Sequence, residues 1–459
     1  MKKTLLLSLL AGAAMSNVAL ADDQGVSRDE VRAMVADMLA DADTRSSLLQ
    51  GGGVAGYDKG FVVRSPDGNY SLKINGLVQF RYVVNYRNTE GDAGVFGQVD
   101  SDNLTNGVDQ KGDDFNQAFQ LRRTQVDFSG NLINSDLTYR ISVQQTNGSS
   151  GLYTTDSWAE YNLGQGFKIR GGNYKVNFLK EELNSTGLTL AAERGIVNAY
   201  LTQGYSSAVG LSWAIDDTLD FYLDFGNGFG TAGASSSANT KDTAEYALTS
   251  RINWIIEGSR ADLADYTSRP GSSTSAQIGA AAHYQESQRS AGTTGSGATA
   301  RPLFPNTKFF AATADGQIEG GGFGLFVAGV GQFVDSPIGN TSIYGVTAQG
   351  SWRWDEAPEV FVKYDGIYTS NDLFRPENYN FITFGFNNYF AGHAAKLTLD
   401  AVVALNATAA PVGSPGTTTL PNTTGVNGAL PGLLGAGTGL NGSGKAGEVA
   451  VRAQFQLLF

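Results

Sequence analysis

The most regular pattern in this chain is an alternation of apolar and polar residues that begins near residue 69. In the stretch "SLKINGLVQFRYVVNYR" every second residue is apolar and most of the residues between are polar, several of them basic. Because successive side chains of a β-strand point to opposite faces, the stretch predicts a strand with one apolar and one polar face. The apolar set is Leu72, Ile74, Gly76, Val78, Phe80, Tyr82, Val84 and Tyr86, and the polar set includes Lys73, Asn75, Gln79, Arg81, Asn85 and Arg87.

The same period recurs along the chain and predicts about 16 strands. It is clear in "LTYRISVQQ", in "GFKIRG" and in the last nine residues, "VRAQFQLLF", which end on Phe459. Alternation alone is also typical of water-soluble β-sandwiches. The connections between the strands therefore have to show whether the chain forms such a sandwich or a membrane-spanning barrel.

The connections alternate between short and long. Those after even-numbered strands are mostly short, namely "GNLINSD", "GQG", "DDT", "DGQIEGG", "DEAP" and "AGHA". Those after odd-numbered strands are mostly long and polar, namely 88–116, 175–204, 226–243, 286–306 and 407–445. One connection, 257–273, is long where the parity requires a short turn, so either a strand is miscounted or that turn is extended.

Short turns at one end and long loops at the other are typical of bacterial outer-membrane barrels. The sequence therefore predicts an all-β fold, a transmembrane antiparallel β-barrel of about 16 strands, with its apolar face in contact with outer-membrane lipid. A strand-based span must close on itself because no backbone group can remain unpaired in lipid. We expect the last strand, ending on Phe459, to pair with the first.

The N-terminus predicts export from the cytoplasm. Residues 1–21, "MKKTLLLSLLAGAAMSNVALA", combine two lysines, a short apolar run and a small-residue ending typical of a signal peptide cleaved after Ala21. Residues 22–56 are predicted to form a short periplasmic helical segment followed by a Gly-rich hinge. The barrel is expected over residues 57–459.

Composition narrows the chemistry. The chain has a net charge of −12, two histidines and no cysteine, and it shows none of the common catalytic motifs. We therefore expect no enzyme activity, no catalytic residues, no cofactor and no metal site. Nucleic acid is not expected as a partner, because the chain is acidic overall and no Lys/Arg cluster offers the counterion-releasing contacts of nucleic-acid binding.

The polar face of the strands, expected to line the lumen, is more basic than the chain as a whole. Its cations are Lys73, Arg81, Arg87, Arg123, Arg140, Lys168, Arg170 and Lys363, against chiefly Asp127, Glu160 and Asp365. Arg and Lys in a pore attract anions. The alternative is that these charges merely keep the lumen hydrated.

Three segments resemble the phosphate-selective porin O and P family. They are the run from Arg122 to Gly130, "RGGNYKVNFLKEELNS" at 170–185 and "AERGIVN" at 192–198. The resemblance implies a trimeric outer-membrane channel whose third long loop, here 175–204, folds inward and narrows the pore. It further implies that Lys175, Lys180, Glu182 and Arg194 lie at this constriction, facing wall arginines such as Arg123 and Arg140.

The prediction is an outer-membrane porin for passive diffusion of small hydrophilic solutes, with a preference for phosphate or other anions. Two alternatives stay open. One is a general or sugar-selective channel with an aromatic track, and the other is a structural or adhesive barrel tethered through its N-terminal helix.

Overall fold

The computed structural model describes residues 54–87, 115–146, 151–228, 246–287, 292–294, 301–303, 307–336, 339–370, 378–408, 440 and 446–459. The predicted signal peptide and most of the predicted helical segment lie outside these residues. The fold below is that of the compact unit Ala55–Phe459.

The described chain consists almost entirely of strands. They are β1 Val54–Tyr57, β2 Phe61–Arg64, β3 Ser71–Tyr86, β4 Phe115–Asn131, β5 Leu137–Thr146, β6 Tyr153–Gly164, β7 Phe167–Lys175, β8 Tyr205–Ala214, β9 Leu219–Gly226, β10 Tyr246–Glu257, β11 Ser275–Ser287, β12 Gly292–Thr294, β13 Arg301–Leu303, β14 Thr307–Gly320, β15 Phe323–Ser336, β16 Gly339–Arg353, β17 Pro358–Thr369, β18 Asn378–Tyr389, β19 Ala395–Ala404 and β20 Val449–Leu458. Helical turns occur at α1 Lys180–Leu183, a 3-10 turn Thr186–Leu188 and α2 Ile196–Leu201.

Sixteen of these strands, β3–β11 and β14–β20, form a closed antiparallel barrel. Each pairs with the next along the barrel, and β20 closes it by pairing with β3 from Val449↔Tyr86 to Leu458↔Leu77. The predicted strand number and closure are confirmed. No helix in the described ranges is long and apolar enough to cross a bilayer.

The pairing of β20 with β3 continues through the last residue, Phe459. The Gly76 N–H donates to the Phe459 carbonyl (2.8 Å) and the Phe459 N–H donates to the Gly76 carbonyl (3.0 Å). The Phe459 ring occupies the space that a side chain at position 76 would need. A glycine is therefore required where the aromatic ring crosses the first barrel strand.

Two short strands precede the barrel. β1 pairs with β2, and β2 pairs with the start of β3, with Phe61 opposite Ile74. Val54–Gly56, predicted as part of a flexible hinge, therefore lie in a strand. The prediction was wrong there because glycine content signals flexibility only where no neighbouring strand provides hydrogen bonds.

The connections divide the barrel into two ends. The turn end carries 132–136, 165–166, 215–218, 258–274, 321–322, 354–357 and 390–394, and the loop end carries the others. At "DGQIEGG" the turn is only Gly321–Gly322, both with positive φ, as a two-residue hairpin requires. The connection 258–274 is an extended turn, so the parity of the strands was counted correctly.

Alternation decides which side chains face lipid. On β3 and its neighbour β4, Phe80 and Phe119 are 47% and 70% exposed on the outer face, whereas Gln79 and Arg81 are buried inside. The apolar outer face is stable in contact with lipid, and closure of the barrel pairs the backbone N–H and C=O groups of every strand.

A candidate pore and its constriction

The connection 176–204, called here the constriction loop, enters the barrel between β7 and β8. It carries α1, the 3-10 turn and α2, and Phe178 and Leu201 are buried at 1% and 0% exposure. An external loop with this many buried apolar residues has to pack against an apolar surface, and the barrel interior supplies one.

That surface is the inner face of β11 and β14–β20 toward the loop end. Residues of the loop and of these strands form one apolar cluster together with Leu440 from the connection between β19 and β20. Its members are Phe178, Leu179, Ile196, Val197, Leu201, Ala281, Phe309, Ala311, Val330, Val334, Ile343, Ile367, Tyr379, Phe381, Val402, Ala404, Leu440 and Ala450. We call this part of the lumen the filled side. The expected polar lining of the lumen does not extend to this part of it, because the inserted loop replaces water.

Polar wall side chains bind the backbone of the loop. Lys396 Nζ donates to the Thr189 carbonyl (2.6 Å), and Asp400 Oδ2 accepts from the Ala192 N–H (2.8 Å). Further contacts run from Gln456 to Gly187, Asn387 to Leu190, Gln332 to Leu201 and Arg251 to Phe178. These bonds satisfy backbone groups that burial would otherwise leave unpaired.

On the other side of the lumen, Glu193 of the loop holds three wall arginines. Its Oε2 lies 2.5 Å from Arg122 Nε and 3.5 Å from Arg81, and its Oε1 contacts Arg123. Burial raises the pKa of Glu193, but the three guanidinium groups outweigh burial and lower it well below its usual range. One carboxylate against three cations leaves this cluster with a net positive charge.

A second cluster surrounds Glu182. Lys175 Nζ lies 3.1 Å from its Oε1, Arg194 lies 3.6 Å from its Oε2, and Asn198 donates to Oε2 at 2.7 Å. Burial opposes ionisation, yet Arg194 and then Lys175 lower the pKa of Glu182 to about 2. Arg194 also donates to the Glu181, Glu182 and Asn184 carbonyls, so it fixes the shape of the loop as well as its charge.

Between the loop and the wall lies an open cavity of about 860 Å³. Its cationic lining residues are Arg122, Arg123, Arg140, Arg170, Lys175, Lys180 and Arg194, and its acidic ones are Asp156, Glu160, Glu182 and Asp224. The wall here comes from β4–β10, and we call this part of the lumen the pore side. Cations exceed acids seven to four, although the whole chain is acidic.

The structure places seven of the ten predicted site residues on this cavity: Arg123, Arg140, Arg170, Lys175, Lys180, Glu182 and Arg194. The other three lie elsewhere. Arg81 is buried behind the lining against Glu193, and Lys168 is half exposed, 3.4 Å from Glu160. Lys73 lies at the turn end of β3, opposite Ser129.

Two important residues were missed by the sequence reasoning. Arg122 breaks the alternation because β4 has a bulge: Gln79 pairs with Arg123 but Phe80 pairs with Leu121. The extra residue lets two consecutive arginines face inward. Glu193 was passed over because nothing in the sequence shows that a loop carboxylate reaches the wall.

The aromatic residues at the cavity are largely engaged. The Arg170 guanidinium lies 4.4 Å from the Trp158 ring centroid and 5.2 Å from that of Tyr174. Tyr174 donates to Asp224, which also accepts from Asn177. These contacts hold Arg170 at the cavity and support the start of the constriction loop.

A closed barrel of this size, with an inward loop beside a water-accessible, charged passage, defines an outer-membrane porin, a channel for small solutes. The sequence model of the family described as phosphate-selective porin O and P matches residues 95–256, which include the constriction loop and its wall. The match confirms the resemblance seen in the sequence and indicates a channel in the outer membrane.

Solved structures agree in fold. An anion-selective porin from Comamonas acidovorans is 12% identical, with a TM-score of 0.50, covering 85% of this chain and 100% of its own. The outer-membrane channel DcaP of Acinetobacter baumannii is 12% identical, with a TM-score of 0.51, covering 88% and 100%. At this identity the similarity is one of fold. No curated protein matches the sequence.

Proposed function

We propose that the pore side is the conduction pathway for small hydrophilic solutes and that it prefers anions, phosphate among them. The observation that carries the preference is the excess of cations at the cavity. Low-dielectric walls strengthen the field of such a cluster at close range.

The excess of cationic over acidic side chains is concentrated at the constriction. Glu193 is shared by Arg81, Arg122 and Arg123, and Glu182 by Lys175 and Arg194. Each carboxylate keeps its cations in place without neutralising all of them. A passing anion therefore meets fixed positive charge on both the wall and the loop.

The remaining parts of the proposal are less direct. A homotrimer in the outer membrane rests on the family resemblance, whereas export by a signal peptide removed after Ala21 and a periplasmic helical segment ahead of the barrel rest on the residue pattern of the N-terminus. We include no catalytic step, cofactor or metal. The division 1–21, 22–56 and 57–459 is kept as a proposal, and β1 (Val54–Tyr57) spans its last boundary.

Single-channel recording in planar bilayers tests this function. We expect open-channel current, and a reversal potential in a KCl gradient whose sign indicates chloride preference. Arg140→Gln should shift this potential toward the value for a non-selective pore, since Arg140 lines the cavity.

Lys168→Gln provides the matched control. Lys168 belongs to the same wall and its side chain is 50% exposed, but it does not line the cavity. Equal shifts in the two variants would contradict the assignment of the pore. A barrel that passes no current would instead favour the structural or adhesive alternative.

A further inference from the structure

The turn-end connection 258–274, called here the strap, folds into the barrel instead of crossing directly from β10 to β11. Its first part is fixed by Arg260, which donates to both carboxylate oxygens of Asp220 at 2.9–3.1 Å. Its middle part reaches Asp265, 3.2 Å from His393 in the turn 390–394. The strap therefore extends from the β9 wall to the turn that follows β18.

Additional bonds attach the strap to the strands of the filled side. Thr267 Oγ1 lies 3.0 Å from the Tyr389 hydroxyl, and the Ser351 hydroxyl donates to the Tyr266 carbonyl (3.3 Å). The Ser268 hydroxyl accepts from the Gly322 N–H (3.2 Å). These contacts lie on β16, on β18 and at the hairpin after β14, so the strap covers the turn end of the filled side.

The strap also meets the constriction loop. Tyr266 is 3% exposed and its ring lies 4.9 Å from that of Phe326, in a cluster that includes Leu190 and Phe361. Leu190 belongs to the constriction loop, so the two inserted segments share one apolar contact. The loop end and the turn end of the filled side are thereby closed by two different connections.

One edge of the strap reaches the pore side. The Leu263 carbonyl accepts a hydrogen bond from Lys180 Nζ (3.2 Å), and Lys180 lines the cavity. The next residue, Ala264, is exposed and also lines the cavity. The cavity is thus bounded by the β4–β10 wall, by the constriction loop and by the strap.

We propose that the strap is a second constriction element, which borders the conduction pathway at Ala264, positions Lys180 through the Leu263 carbonyl and seals the filled side against leakage. This inference rests on the proposed function, since it requires that the cavity conducts. It assigns to the connection 258–274 a role in setting pore size and selectivity.

Thiol modification tests the position of the strap, because the natural chain has no cysteine. Ala264→Cys, at the cavity, and Ala261→Cys, exposed on the strap away from it, are matched variants. Adding a negatively charged methanethiosulfonate reagent during single-channel recording should cause a stepwise loss of current in Ala264→Cys. The same reagent should leave the current of Ala261→Cys unchanged.

A fully modified Ala264→Cys channel, verified by mass spectrometry, with unaltered current would overturn the inference. Equal losses in both variants would do so as well. A wild-type barrel without current would overturn the proposed function together with the inference, so the two failures are distinguishable.

A second variant tests the sealing role. Replacing residues 259–273 by two glycines, as in the turn Gly321–Gly322, should increase the single-channel current and weaken the anion preference, because the turn end opens and Lys180 loses its acceptor. An unchanged current in a folded variant would contradict this role, and the cysteine pair decides the question independently if the shortened chain does not fold.

Discussion

The pore side and the filled side of the lumen are built from the same alternating strands but differ in what faces inward. On the pore side, β4–β10 present charged and aromatic side chains to a cavity of about 860 Å³. On the filled side, β11 and β14–β20 present apolar residues to the constriction loop and bury their charges in pairs such as Arg452–Asp400, 2.7 Å apart. The barrel therefore contains a packed core on one side and a passage on the other.

The comparison shows how a wide barrel can hold a rigid constriction. A loop suspended in water would lose much conformational entropy on becoming ordered, with few contacts to compensate. Packing one face of the loop against apolar wall residues supplies those contacts, and the opposite face then presents Glu182 and Arg194 to the passage. Stability and selectivity are thus assigned to opposite faces of one loop.

The largest effect is expected from an unpaired charge where the two sides meet, at the pair of Arg251 on β10 with Asp315 on β14. Asp315→Ala leaves Arg251 buried without its carboxylate, which typically costs about 3–5 kcal/mol. The midpoint of urea unfolding in lipid vesicles measures this change. In the double variant Arg251→Met/Asp315→Leu much of the stability should return, and a double variant as unstable as the single one would contradict the explanation.

A cavity in the apolar cluster should have the next largest effect. Leu201→Ala removes a fully buried side chain of α2 that lies against Gly345 on β16. The substitution should cost about 2–5 kcal/mol of unfolding free energy. Leu183→Ala, on the same loop but at the cavity, is the control and should cost clearly less. Equal losses would show that the loop is packed similarly on both faces.

Acid should weaken the loop on the pore side. The pKa of Glu182 is lowered from 4.5 to about 2, because Arg194 and Lys175 outweigh the opposing effect of burial, so the stability this provides is complete above pH 4.5 and is lost as the pH falls toward 2. At pH 3 about 2 kcal/mol of it should be gone. Current noise from loop fluctuations should then rise between pH 5 and pH 3, and Glu182→Gln should be noisy at both.

The smallest effect is expected from Lys180. Burial, and then Arg251, lower its pKa to about 8, with Asp315 and Glu319 acting in the opposite direction. Its charge is present below pH 8 and lost above it, so the anion preference should decline slightly between pH 7 and pH 9. Lys180→Arg should abolish the decline, and a decline of the same size in that variant would assign it to another group.

The barrel could be predicted because its constraints are local and repeated. The period of two on β3 places Gln79 and Arg81 inside and Phe80 outside whatever the distant partners are. The length of the connections then separates the two ends. The pattern failed at Arg122, where a bulge that depends on the pairing of β4 with β3 places one more arginine inside.

The candidate site was predicted only as a set of residue types. Lys175, Lys180, Glu182 and Arg194 were expected at the constriction through the family resemblance, and they line one cavity with Arg123, Arg140 and Arg170. Glu193 and the strap were not expected to take part. Their contacts join residues far apart in the sequence, such as Arg122 with Glu193 and Asp265 with His393.

The sequence by itself determined the barrel, its strand number and its closure, because alternation and the need to pair every backbone group in lipid act along each strand. Only the tertiary structure decided which part of the lumen conducts. The constriction loop and the strap fill one side of the barrel because their apolar residues pack against apolar residues on the inner wall. That apolar wall exists only once the sixteen strands have brought their inward faces together.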